Sequence, residues 1–247
     1  MPTPSFTDLS RNRLLRAWPE IERRRIQPQL AWAELPLGQV LAQPGVPVTH
    51  VHFPTTAIVS LLSVMTDGGS VEAAAVGPDG VVGVSAFLGG GAALGSSVVH
   101  TAGLGLRLPA EALSAAFTRS PAVARVLLRY TQSLLAQMAQ TAACTRHHSL
   151  DQQLCRWLLL SLDRLHGQEL VMTHERIAQM LGVRREGVTA GALRLQRAGL
   201  IRYRRGHISV LDRSGIERRS CECYAAMTAI CRPLIPDAAL HVGGGAR

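Results

Sequence analysis

The chain has 247 residues, 47% of them hydrophobic and 17% charged, enough apolar material for two moderate domains and too much for a disordered polymer. Its formal net charge of +9 and pI of about 10.5 suit a polyanionic partner. Every cation is Arg, for which codon bias is the plain reading, although a guanidinium fork suits phosphate and guanine better than an ammonium, so composition assigns no function by itself.

The placement of the charge says more. Residues 26–118 hold one Arg against five carboxylates, whereas residues 146–219 hold fourteen Arg against seven. That is the profile of a basic module attached to a near-neutral or acidic body. Arg11, Arg13 and Arg16 near the N-terminus have no apolar segment behind them, and runs such as Ala57–Met65 are far shorter than a bilayer span. Neither a secretory signal nor a membrane contact is expected, and the protein is placed in the cytoplasm. The five cysteines, Cys144, Cys155, Cys221, Cys223 and Cys231, all fall in the second half and do not resemble an extracellular disulfide framework.

In chain order, residues 1–25 read as an arm and a first helix, with Leu14, Leu15 and Trp18 available to dock on the body and Arg23 to Arg25 as a solvated face. Residues 26–118 are punctuated by Pro44-Gly45, Asp67-Gly68-Gly69, Gly77-Pro78-Asp79-Gly80 and Gly89-Gly90-Gly91. Strands are expected at Val48–Phe53, Ile58–Met65, Val71–Val76, Val81–Phe87 and Ser97–Thr101, which together suggest a small antiparallel barrel or roll. Residues 119–146 form one long helix. Val123, Leu127, Tyr130, Leu134, Met138 and Thr141 follow the four-and-three spacing of a coiled-coil seam, expected to face a second copy, with packing on the chain's own barrel as the alternative.

Residues 147–219 open with an amphipathic helix from Asp151, burying Leu154, Trp157, Leu158 and Leu162. Thr173 is then a good N-cap, Ile177 and Leu181 share a face, and Gly182 ends the helix. Val188, Ala192 and Leu195 define a second helix, which leaves Arg184, Arg185, Glu186 and Thr189 outside the core. Two helices with a tight turn read as a helix-turn-helix. Ile201–Tyr203 and His207–Val210, joined through Arg204-Arg205-Gly206, read as a basic wing. Residues 220–247 are a tail: a short helix and then Gly243–Arg247 without structure.

These pieces make an α+β chain. Thr173, Ile177-Ala178, Leu181-Gly182-Val183, Arg185-Glu186, Val188 and Gly199-Leu200-Ile201 make it resemble the Crp/Fnr family of bacterial transcription regulators over most of residues 26–219. The resemblance implies a cyclic-nucleotide-binding-type jelly roll, a central dimer helix and a winged helix on DNA at a promoter, with RNA polymerase as a candidate partner. Arg185 is similar to the family's guanine-reading Arg, its fork matching O6 and N7, and Glu186 to the acidic residue accepting from cytosine N4. Arg185 on a phosphate, or Glu186 merely orienting Arg185, are the alternatives. Thr173, Arg184, Thr189, Arg204 and Arg205 are candidates for backbone phosphates. The chain departs from the family at Ala190, where members often carry a second base-contacting Arg, and at Gly187, which weakens the helix.

The sensor side departs further. The family's cyclic-nucleotide cassette uses a Gly-Glu pair for the ribose and an Arg followed by Ser or Thr for the phosphate, yet residues 77–103 contain neither Glu nor Arg. Ser96 and Ser97 are the remaining candidate donors, so cyclic-nucleotide binding is expected to be weak or absent. An iron-sulfur cluster of the family's N-terminal kind lacks its cysteines. Cys221, Cys223 and Cys231 lack the Cys-x-x-Cys pairing of a zinc site, and their expected role is ordinary packing, with no metal; His50, His52 and His100 fit polar strand faces. No nucleophile elbow, P-loop or His-Glu-x-x-His appears, which argues against an enzyme. The alternative function is a ligand-binding or protein-interaction roll with only non-specific DNA affinity.

Overall fold

The computed structural model describes residues 3–89, 91–165 and 169–231, the last without the Cys231 side chain. The glycine-rich end expected at 243–247 lies outside the described residues. The N-terminal arm forms a 3-10 turn (Asp8–Arg11) and two short helices, α1 (Arg13–Arg16) and α2 (Glu20–Ile26). Asn12 fastens it. Its buried side chain caps α1 through Leu15 N and donates to the carbonyls of Pro54 and Gly80, each at 2.9 Å. Leu14, Leu15 and Trp18 are buried in the roll's core, Trp18 edge-on to Phe53 with centroids 6.5 Å apart.

Seven strands follow: β1 (Ala31–Leu35), β2 (Val40–Ala42), β3 (His50–Pro54), β4 (Ile58–Val64), β5 (Ser70–Val76), β6 (Ser96–Thr101) and β7 (Gly103–Pro109). They make two antiparallel sheets, of order β1-β7-β3 and β2-β6-β4-β5. Val51, Phe53, Val59, Val99, Leu106 and Leu108 face one another between them, because period-two alternation sends one side of each strand inward. The expected strand over Val81–Phe87 is not one. Gly83, at φ 100°, turns the chain out of the ladder into a 3-10 turn (Val84–Ala86), leaving one isolated bridge between His52 and Val82. The apolar run is still used, with Val81, Val82 and Phe87 buried.

Helix α3 (Ala110–Arg119), which the turn-rich reading of 26–118 passed over, closes the roll. Helix α4 (Pro121–His147) follows directly, with Ser120 capping Val123 N and Pro121 in the first turn. At 27 residues it is about 40 Å long. Its stripe of Val123, Leu127, Tyr130 and Leu134 lies in the roll's own core, and Tyr130 Oη donates to Val81 O at 2.9 Å. Thr141 is also buried and Met138 partly so. The seam expected to meet a second copy is therefore an intrachain contact, because the roll and the N-terminal arm offer it an apolar surface first. What α4 turns to solvent is another stripe, led by Leu128 and Leu135, 50% and 63% exposed.

The C-terminal unit contains α5 (Leu150–Leu162), β8 (Glu169–Val171), α6 (His174–Leu181), α7 (Arg185–Arg197), β9 (Ile201–Arg204), β10 (His207–Val210), α8 (Arg213–Arg219) and α9 (Cys223–Cys231). Ser149 and Gln152 form a capping box that starts α5. Leu154, Trp157, Leu158, Ile177, Leu181, Val188, Leu195, Ile208 and Ile216 build a second core. Strand β8, too short to signal itself, makes the wing a three-stranded sheet of order β8-β10-β9. The unit rests on the roll: Leu62 joins its core, and a Cβ added at Gly182 would lie 3.3 Å from Val71. Among the described residues no helix is long and apolar enough to cross a membrane.

Candidate nucleic-acid interface

Thr173 caps α6, its hydroxyl accepting from Arg176 N at 3.3 Å. Gly182 ends that helix at φ 65°, a left-handed turn that a Cβ would strain. The chain then re-enters a helix with Arg184 at the N-cap of α7, and no side chain caps it there. The amide end of α7 thus carries its partial positive charge toward solvent beside Arg184 and Arg185, a place that favours an anion. Arg184, Arg185 and Glu186 are all exposed, while Val188, Ala192 and Leu195 hold the opposite face in the core.

The wing is fixed against this helix pair. Its two-residue turn puts Arg205 at φ 50° and Gly206 at φ 84°, and Gly206 O accepts from Met172 N at 2.6 Å, just before α6. His174 joins the three elements. Its ring stacks on Tyr203 with centroids 4.0 Å apart and planes at 23°, and Nδ1 lies 3.0 Å from Thr189 Oγ1. Thr189 Oγ1 donates to Arg185 O at 3.1 Å, which assigns the Nδ1 proton as donor in the other contact. Burial, and then the Arg185 guanidinium, hold the imidazole below its usual pKa, so the ring is neutral near pH 7. Sequence reasoning missed His174, since one His beside an N-cap carries no pattern. The same geometry corrects the expectation for Thr189: it is half-buried and its proton is used inside the protein, so it offers phosphate no free donor.

The arginines divide into two groups. Arg194 grips Asp151 through both Nε (2.8 Å) and Nη2 (2.5 Å), and Arg213 binds Asp163 and Glu217, so these hold helices together. Arg184, Arg185, Arg204 and Arg205 make no ion pair among the described residues, and all four are exposed, the first two at the start of α7 and the last two at the wing turn. Uncompensated guanidinium groups at a helix N-terminus and at a wing turn can neutralise phosphates.

The Crp-like helix-turn-helix domain family matches residues 152–219. This module is a Crp-like helix-turn-helix domain. No curated protein matches the chain by sequence. Among solved structures, the chain is similar to a Crp/Fnr-family transcriptional regulator from Eubacterium rectale, with 19% identity, a TM-score of 0.66, and coverage of 83% of this chain and 96% of that one. It is similar to FixK2 from Bradyrhizobium japonicum at 17% identity and TM-score 0.66, covering 78% and 98%. A CRP/FNR-family regulator from Thermus thermophilus gives 24%, 0.63, and coverage of 77% and 98%. Roll, long helix and Crp-like domain thus follow the fold of these proteins.

In the roll, Ser97 is buried between β2 and β4, and Ser96 Oγ reaches only Ala42 O at 3.5 Å. A different polar group occupies the boundary with the Crp-like domain. Ser60 Oγ donates to Glu72 and lies 2.9 Å from His100 Nδ1, while the His100 ring packs on Trp157 at 5.6 Å. Burial pushes the Glu72 carboxyl up, but His100, Ser60 and Arg164 outweigh it and the net shift is downward.

Proposed function

We infer that the chain is a sequence-specific, DNA-binding transcription regulator acting as a homodimer in the cytoplasm. The observation that carries the inference is the unpaired set of Arg184 and Arg185 at the uncapped start of α7 and Arg204 and Arg205 at the wing turn, within a domain of Crp-like kind. In this reading the start of α7 enters the major groove. Arg185 donates two hydrogen bonds to guanine O6 and N7, and Glu186 accepts from cytosine N4. Arg184, Arg204, Arg205 and Thr173 hold phosphates and set the register without reading sequence. Two copies meet through Leu128 and Leu135 of α4 and present two α7 helices to half-sites about 34 Å apart. RNA polymerase is the partner at the promoter.

The signal is not a cyclic nucleotide held by the usual phosphate cassette. Residues 77–103 supply no Arg and no Glu, and the Ser97 hydroxyl is buried within the sheet. Calorimetric titration with cyclic AMP and cyclic GMP should show no tight binding. The test of the DNA reading is selection from a randomised operator library. Arg185→Ala should relax preference at one symmetric base pair by about 1–3 kcal/mol, and Arg204→Ala should weaken all sequences alike and lower the salt slope by about 1. A preference profile for Arg185→Ala superimposable on the wild type would overturn the assignment.

A further inference from the structure

Cys144 and His148 stand one turn apart at the end of α4, and Cys221 and Cys223 flank Glu222 where the link from α8 enters α9. Sequence spacing gave no reason to join them, since Cys-x-x-x-His and Cys-x-Cys are separated by more than seventy residues. The fold brings them together: one ligand atom from each lies within 4.8 Å of every other, and the three cysteines are buried. Cys221 and Cys223 do pack, in a buried cluster with Cys144, and His148 joins them there.

The spacing is that of ligands around one ion. Cys144 Sγ and Cys221 Sγ are 3.6 Å apart, and Cys223 Sγ is 3.5 Å from His148 Nδ1. A tetrahedral zinc ion with ordinary bond lengths has sulfur–sulfur edges of about 3.8 Å and sulfur–nitrogen edges of about 3.5 Å. A disulfide would need about 2.0 Å. A multi-iron cluster would divide the four ligands among two or more irons and so hold some of them farther apart than the 4.8 Å seen here.

The surroundings agree with bound metal. His148 turns its other nitrogen, Nε2, to Glu222 Oε1 at 3.2 Å, the carboxylate–histidine arrangement that fixes the tautomer of a ligating imidazole. Gln140 Nε2 donates to Cys223 Sγ at 3.0 Å. Arg156 is buried on α5 close enough to Cys144 to act on it electrostatically, with Nη1 against Met227 Sδ and with no ion pair among the described residues. A buried guanidinium without a counter-charge is costly. Three thiolates, one neutral imidazole and one divalent ion sum to a single negative charge, which is what Arg156 lacks.

We propose that Cys144, His148, Cys221 and Cys223 form a mononuclear tetrahedral site for a borderline-soft divalent cation, zinc foremost, with Glu222 and Gln140 supporting the ligands and Arg156 balancing the charge. Binding forms three metal–sulfur bonds and one metal–nitrogen bond and releases the three thiol protons, with no change of oxidation state. The ion ties the end of α4 to the α8–α9 link across the break at Ser149, where the Crp-like domain leaves the long helix. The site stands whether or not α7 reads DNA.

The test uses the full chain purified under reducing conditions without chelator. Elemental analysis should find one zinc per chain. The metal-stripped protein titrated with Co2+ should develop thiolate-to-cobalt charge-transfer and tetrahedral d–d absorption, saturating at one equivalent and reversed by Zn2+. Cys221→Ser should abolish the charge-transfer band's stoichiometric growth, whereas Cys155→Ser, at a buried cysteine outside the group, should leave it unchanged. Glu222→Ala, at a side chain 79% exposed and so harmless to folding, should weaken Zn2+ affinity about 10- to 100-fold. Absence of both zinc and the cobalt bands, or bands of equal strength in Cys221→Ser, would overturn the proposal, as would unchanged Zn2+ affinity in Glu222→Ala.

Discussion

Replacing His174 by Ala should unfasten the wing from the helix pair. The side chain contributes two separable contacts, the stack on Tyr203 at 4.0 Å and the hydrogen bond to Thr189 at 3.0 Å. An aromatic pair is worth about 0.5–1.5 kcal/mol beyond burial, and a hydrogen bond about 1 kcal/mol net. Their sum is about 2 kcal/mol, equivalent to a fall of about 4–8 °C in melting temperature for a chain of this size. A double-mutant cycle isolates the stack: His174→Ala, Tyr203→Ala and the pair, each followed by urea denaturation at pH 7.5, where the ring is neutral. A coupling energy of about 1 kcal/mol is expected between the two sites. Additivity within about 0.3 kcal/mol would refute the reasoning, because it would mean that ring overlap contributes nothing beyond each side chain's own burial.

Further outcomes follow from burial and from exposure. Desolvation, then His50 and Arg107, lower the His52 pKa to about 4 from its ordinary 6.5. The folded state therefore favours the uncharged ring, and its stability advantage is full above pH 6.5 and declines as the pH falls toward 4. At pH 5 the loss is about 2 kcal/mol relative to pH 7, so His52→Gln should lose that much less in paired urea denaturations, and an equal loss in both proteins would contradict the assignment. On α4, Leu134→Ala should cost about 2–5 kcal/mol because its side chain is in the roll's core, while Leu135→Glu, 63% exposed, should spare the melting temperature and split the dimer in sedimentation. Leu135→Glu sedimenting as the wild type would remove that face from the dimer contact.

The helix-turn-helix was legible because its signals are local. Thr173 as cap, Gly182 as stop and the Val188, Ala192, Leu195 face each depend on residues within two turns of one another. The long helix was legible as a helix, but periodicity describes a face and not what covers it. Val123, Leu127 and Leu134 read equally well as a seam between copies and as a core contact, and only the roll's three-dimensional surface decides. Val81–Phe87 looked like a strand because apolar content dominates such a reading, whereas the positive φ at Gly83 governs the backbone. Ligands contributed by α4 and by the α8–α9 link have no shared motif, so their meeting is a property of the fold alone.

Gly182 performs two duties at one position. It closes α6 with a left-handed residue, and it is where the β4–β5 hairpin presses on the Crp-like domain through Val71. The roll consequently has a fulcrum at the elbow that aims α7, with no intervening side chain to absorb a displacement. A side chain at Gly182 would meet Val71 of that hairpin and strain the left-handed turn at once, so one substitution there would disturb both the roll contact and the entry to α7.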